Sequence, residues 1–165
     1  MVLQSPTALT DFTLESSLEQ QVSLHDFRDQ YLLVTFGYTS CPDVCPLSLG
    51  NLAAALNELE DNAEKLTILF VTVDPERDRP ERLASYLSYF HKRMIGLTGD
   101  VDDIKALATQ FGVFFEQRAE SGPESLFFDH TATIMLVDPD GYLRVVFPPT
   151  VTGSQIAQDL SRLLH

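Results

Sequence analysis

Residues 31–59, YLLVTFGYTSCPDVCPLSLGNLAAALNEL, contain a change of hydrophobic period that predicts a strand followed directly by a helix. The first part, 31–38, is a continuous run of apolar, β-branched and aromatic residues, which is typical of a strand buried on both faces. From Pro46 onward, leucines recur at the spacing of one helix face. The only two cysteines of the chain, Cys41 and Cys45, therefore lie in an exposed turn between a strand and a helix.

The same two periods alternate along the rest of the chain. Buried strands are predicted over residues 66–74 and 95–99, and an amphipathic helix follows each of them. Residues 11–24 alternate as a short hairpin does, and residues 139–141, Pro-Asp-Gly, join two C-terminal strands into a second hairpin before a last amphipathic helix. This order predicts an α/β sandwich with a central mixed sheet and helices on both faces.

Length and charge limit the possible functions. We expect residues 1–10 to be an N-terminal tail and residues 11–165 to form a single domain, since 165 residues is the size of one domain. The formal net charge of −13 would repel nucleic acid, which we therefore exclude as a partner, and would favour a cation or a basic surface. No stretch approaches the ~18 apolar residues of a membrane span. We thus expect contact with a membrane only through an anchor absent from this chain.

Cys41 and Cys45 allow four interpretations. A helix that starts near Pro46 would place both thiols close to its N-terminal amides, which predicts lowered thiol pKa values and a nucleophile or a metal ligand. Two buried cysteines acting as small apolar side chains would fit an exposed turn poorly. A structural disulfide across so short a loop would stabilise little. A redox couple or a metal site remains, and a metal site needs a third ligand.

His130 is the best candidate for that ligand, because it stands immediately before an apolar strand, where α/β sheets collect active residues. His25, His91 and His165 are interpreted as surface or capping groups. Two thiolates and an imidazole are a soft donor set that suits copper(I), or copper(II) with an added ligand. Zinc is the competitor, although structural zinc almost always takes four ligands.

Two single aspartates and one polar segment each allow a functional and a structural interpretation. Asp129 directly precedes His130, and Asp43 lies between the cysteines, so either could orient the imidazole or tune the thiolate charge; the alternative is a solvated carboxylate. Residues 73–80, VDPERDRP, follow a core strand. They predict a helix cap with local ion pairs, or alternatively a surface that recognises a partner.

Four strings in this order and at these distances resemble the SCO/SenC family of copper chaperones: TFGYTSCPDVCPLSL (35–49), VDPERD (73–78), GLTGD (96–100) and DHTATIMLVDPDG (129–141). The resemblance covers residues 11 to 150 or beyond. It implies a thioredoxin-like, three-layer fold with an additional hairpin.

The resemblance also implies a site and a task. Copper would bind to Cys41, Cys45 and His130, with Asp129 matching the aspartate that precedes the family's histidine. The two cysteines would also cycle between dithiol and disulfide as a redox couple.

Members of the family help to build the dinuclear copper centre of cytochrome c oxidase subunit II, as copper donor, as reductant of its cysteines, or both. The implied partners are that subunit or another copper-site protein, and a thioredoxin-like reductant. The implied location is extracytoplasmic, on the periplasmic side of the inner membrane, with the natural anchor removed. The alternative functions are a thiol-disulfide oxidoreductase without an obligatory metal and, on the shared architecture alone, a thiol peroxidase.

Overall fold

The structure, a computed structural model, describes residues 2–41, 44–113, 117–118, 127–128 and 133–164. The strands in these ranges are β1 (Val2–Ala8), β2 (Thr13–Ser16), β3 (Gln21–Ser23), β4 (Tyr31–Gly37), β5 (Leu66–Thr72), β6 (Met94–Thr98), β7 (Gln117–Arg118), β8 (Phe127–Phe128), β9 (Ile134–Val137) and β10 (Tyr142–Phe147). The α-helices are α1 (Val44–Leu59), α2 (Pro80–Ser88), α3 (Val101–Gln110) and α4 (Gly153–Leu163). Short 3-10 helices span Leu24–Phe27 and Glu60–Lys65.

Eight of the strands form one mixed sheet in the order β1-β10-β9-β4-β5-β6-β2-β3, and β7 pairs with β8 in a separate ladder. The central strands β4, β5 and β6 are parallel, whereas the pairings on either side of them are antiparallel. The parallel strands are buried on both faces, which explains their continuous apolar sequences. The predicted α/β fold with a mixed sheet is confirmed.

Helices cover both faces of the sheet, so the fold has the three predicted layers. On one face, α1 and α4 pack through fully buried leucines such as Leu52 and Leu160, and α2 adds Leu83. On the other face, α3 contributes Ile104 and Leu107 to a second core cluster. Both cores place large apolar side chains against β4 and β5, which are thereby held rigidly at the centre of the molecule.

The N-terminal region shows one confirmed and one wrong prediction. The hairpin predicted within residues 11–24 is formed by β2 and β3, and β2 also pairs with β6. The predicted tail, residues 1–10, instead contains β1, which pairs with β10 at the edge of the sheet. Most β1 side chains are exposed. The strand therefore depends on main-chain pairing, which a hydrophobic pattern does not reveal.

The loop of interest follows the central strand β4. Helix α1 begins at Val44, two residues before the predicted start at Pro46, so Cys45 belongs to the first turn of the helix. Within the described ranges, none of the helices combines the length and the apolar character that a bilayer span requires.

Candidate metal centre

A tight turn carries Cys41 away from the end of β4. The backbone N–H of Cys41 donates a hydrogen bond to the carbonyl oxygen of Tyr38 at 3.1 Å, so Thr39 and Ser40 occupy the two central positions of the turn. Cys45 lies a short distance further along, in the first turn of α1. A strand end and a helix start thus present the two cysteines to the same region.

Cys41 and Cys45 are not joined in a disulfide, and both are buried, with exposed fractions of 8% and 4%. The expectation of an exposed turn was therefore wrong, because the core formed by α1, α2 and the sheet extends up to the cysteines. Their side chains are hydrogen-bonded to each other, and the backbone N–H of Tyr38 also donates to Cys45. A Cβ atom built on Gly37 would lie 2.7 Å from Cys45 Sγ, so the thiol is packed directly against the end of β4.

The predicted lowering of the thiol pKa is wrong for Cys45. The hydrogen bond with Cys41 raises the pKa of Cys45 most, and burial raises it further. The hydrogen bond from Tyr38 lowers this pKa without reversing the direction, and the negative charge of Asp78 adds to the rise. At neutral pH the Cys45 thiol therefore keeps its proton until a cation displaces it.

Two tyrosines border the cysteine pair. Burial raises the pKa of Tyr86 to about 12, and negative charge on Cys45 and Cys41 contributes to that rise. The Tyr86 hydroxyl oxygen is buried and has no hydrogen-bond partner among the described residues. Burial, together with charge on the cysteines, also raises the pKa of Tyr38. Both tyrosines are therefore uncharged at neutral pH and add no negative charge beside the thiols.

Buried carboxylates in the segment 73–80 add negative charge behind the site. Asp74 and Asp78 are 3% and 0% exposed, and burial followed by the charge of Asp78 raises the pKa of Asp74. The predicted local ion pairs are present, since Arg77 lies 3.8 Å from Asp74 and Arg82 lies 3.7 Å from Asp78. The sequence interpretation missed that Asp78 also accepts hydrogen bonds from the turn before Cys41. The signal that the sequence offered was the position of Asp78 in the segment after β5, the strand that pairs with β4.

The remaining predicted residues divide into two groups. His130, Asp129 and Asp43 lie outside the described residues, as does His165. His25 Nδ1 lies 3.1 Å from Asp11 on the surface, and His91 Nδ1 accepts a hydrogen bond from the following loop, as their interpretation as surface and capping groups requires. Within the described ranges, no three metal-ligating side chains gather at one place.

A family model described as SCO1/SenC matches residues 3–165. The chain belongs to the SCO1/SenC family. This membership confirms the resemblance of the cysteine loop and of the three strings that follow it.

Solved structures of the family share both sequence and fold with this SCO1/SenC chain. ScoI of Bradyrhizobium japonicum with copper bound is 34% identical, has a TM-score of 0.85, and is matched over 94% of this chain and 98% of its own. Apo Sco1 of Thermus thermophilus is 36% identical with a TM-score of 0.89, over 99% of this chain and 95% of its own. The thioredoxin-like fold is thereby confirmed.

Among curated proteins, the mitochondrial SCO1 homolog of Homo sapiens is 32% identical over 162 residues, which is 97% of this chain and 52% of that protein. The chain spans between 52% and 63% of the length of the first curated relatives that it matches.

Proposed function

We propose that this chain is a copper-binding protein of SCO type that holds copper(I) through Cys41, Cys45 and His130. The observation that carries the proposal is the pair of adjacent, buried and unbridged thiols at the end of β4. Thiolate sulfur is a soft donor that selects copper(I), whereas carboxylate-preferring cations would find no advantage there. The Bradyrhizobium japonicum relative, at 34% identity, has been solved with copper bound, which supports the choice of metal.

The charges around the thiols favour a cation as the occupant. Asp78 is fully buried and Asp74, in the same segment, nearly so. The negative charge of Asp78 acts on Cys45. A dithiolate in that position would be repelled by the negative charge of Asp78, whereas bound copper(I) would cancel half of the charge of the two thiolates. The site is thus suited to bind a metal and poorly suited to store a free thiolate.

We extend the proposal to the whole protein on the basis of the family. The copper would be cargo, which the protein delivers to the dinuclear copper site of cytochrome c oxidase subunit II, or to another copper-site protein. Asp129 would orient the His130 imidazole. We place the protein outside the cytoplasm, on the periplasmic side of the inner membrane.

An anaerobic titration tests the proposed ligand set. Reduced protein is titrated with copper(I) against a competing chelator for the parent chain, Cys41→Ala and His130→Ala. We expect one tightly bound copper per chain in the parent and weaker binding in both variants. Parent-like affinity in either variant would contradict the three-ligand site.

Thiol-disulfide exchange with a partner's cysteines is the second candidate function, because hydrogen-bonded neighbouring thiols can close into a disulfide. The two functions require different residues. Exchange requires Cys41 and Cys45 but not His130, so His130→Ala should keep reductase activity if exchange is the task. Loss of that activity together with copper binding would count against the exchange function.

A further inference from the structure

We propose that Asp78 is a positioning residue for the cysteine site, because its carboxylate fixes the turn that places Cys41 beside Cys45. The inference rests on the proposed copper-binding function, and it adds a residue that the proposed ligand set does not contain.

The Asp78 carboxylate is fully buried and accepts hydrogen bonds from the turn after β4 and from the end of β5. Oδ2 accepts from the backbone N–H of Thr39 at 2.9 Å and from the hydroxyl of Thr72 at 2.7 Å. Oδ1 accepts from the hydroxyl of Thr39 at 2.6 Å. Hydrogen bonds to an ionised acceptor are roughly twice as strong as neutral ones. Asp78 therefore holds both the main chain and the side chain of Thr39.

Arg82, on helix α2, also donates hydrogen bonds to the turn. Its Nε donates to Thr39 Oγ1 at 2.8 Å and its Nη2 donates to Ser40 Oγ at 3.2 Å, while Nε lies 3.7 Å from Asp78 Oδ1. Thr39 and Ser40 are the two central residues of the turn, and Cys41 follows them directly. Both central residues are thus tied to the segment that contains Asp78 and Arg82.

The anchor itself is attached to the central sheet. The backbone N–H of Asp78 donates to the carbonyl oxygen of Asp74 at 2.9 Å, and the N–H of Asp74 donates to Thr72 Oγ1 at 3.0 Å. Thr72 ends β5, where it pairs with Gly37 at the end of β4. The turn is therefore attached to β5 and α2 as well as to its own strand, β4. These attachments fix one conformation of the turn, in which Cys41 Sγ faces Cys45 before a metal binds.

The contacts of Asp78 with Thr39 would also be present if they only stabilised the fold. The test therefore compares the loss of the Thr39 hydroxyl with the loss of a similar hydroxyl far from the cysteines. Thr39→Val removes the hydroxyl between Asp78 and Arg82 and leaves the Thr39 N–H in place, whereas Thr39→Ser retains both groups. Thr67→Val is the matched control, because its buried hydroxyl donates to Gln30 Oε1 at 2.6 Å near the opposite end of β5.

Two quantities are measured for each variant, together with stability from urea unfolding. The first is the copper(I) affinity against a competing chelator. The second needs no metal: it is the equilibrium constant for closing the Cys41–Cys45 disulfide, in which glutathione disulfide takes two electrons and both thiol protons pass to the two glutathione thiols formed.

We expect Thr39→Val to weaken copper(I) binding by about tenfold, as losses of groups that orient metal ligands do. We also expect it to lower the disulfide constant several-fold, because the two thiols no longer meet as often. Thr39→Ser should stay near the parent in both, and Thr67→Val should lose stability while leaving both constants unchanged. If the parent binds copper(I), any other pattern overturns the inference. If the parent chain does not bind copper(I), the proposed copper-binding function is wrong. The role of Asp78 is then tested by the disulfide constants of the same three variants.

Discussion

Gly37→Ala is the substitution that most directly perturbs the packing of the Cys45 thiol. The added Cβ would lie 2.7 Å from Cys45 Sγ and 3.0 Å from Phe70 Cε2. Ordinary contacts begin near 3.5 Å, so the thiol must move by about 0.8 Å, or the strand end must move by as much. Overpacking of this kind destabilises the fold by about 1–3 kcal/mol. Metal–ligand distances tolerate only about 0.2 Å, so we expect copper(I) affinity to fall by about 10- to 100-fold.

The assay is the copper(I) competition titration combined with urea unfolding, and two glycines of the chain serve as controls. Gly96→Ala creates a similar clash, with its Cβ 2.8 Å from Leu83 Cβ, and should lower stability without changing copper affinity. Gly50→Ala lies on α1 with nothing within 4 Å and should change neither quantity for the worse. A folded Gly37→Ala protein with the parent's copper affinity would refute the packing argument, as would an equal loss of affinity in Gly96→Ala.

Three further outcomes follow from the structure. Because the pKa of Cys45 is raised, its thiol is protonated at neutral pH and must release its proton to the solvent when copper(I) binds. The apparent copper(I) affinity should therefore rise by about tenfold per pH unit for each proton released. Copper(I) titrations at several pH values measure this dependence. Thr152→Ala removes the N-cap that accepts from Gln155 N–H and should lower the free energy of unfolding by about 1 kcal/mol, while Thr152→Ser should not. Leu160→Ala in the fully buried face of α4 should lower it by about 2–5 kcal/mol in urea unfolding.

The fold could be predicted where burial is complete on both faces of an element. The strands predicted at 31–38 and 66–74 are continuous apolar runs because β4 and β5 have helices on both sides. β1 could not be predicted, because its exposed side chains carry no pattern and its partner β10 lies at the far end of the chain.

The site could be predicted only in part, for a similar reason. Cys41 and Cys45 were identified from their spacing and their place after a strand. Their burial, and the raised pKa of Cys45, come from the neighbouring thiol and from the surrounding core, which a helix-terminus argument does not include. The contact between Asp78 and Thr39 joins residues 39 positions apart and has no signature in either segment alone. The roles of His130 and Asp129 remain predictions.

X-ray absorption spectroscopy at the copper edge of the copper(I)-loaded protein identifies the ligand atoms themselves. We expect one copper per chain, bound to two sulfur atoms and one nitrogen atom. We also expect His130→Ala to lose the nitrogen and Cys45→Ser to lose one of the two sulfurs. Copper bound to sulfur alone, or a nitrogen signal that persists in His130→Ala, would contradict the proposed site.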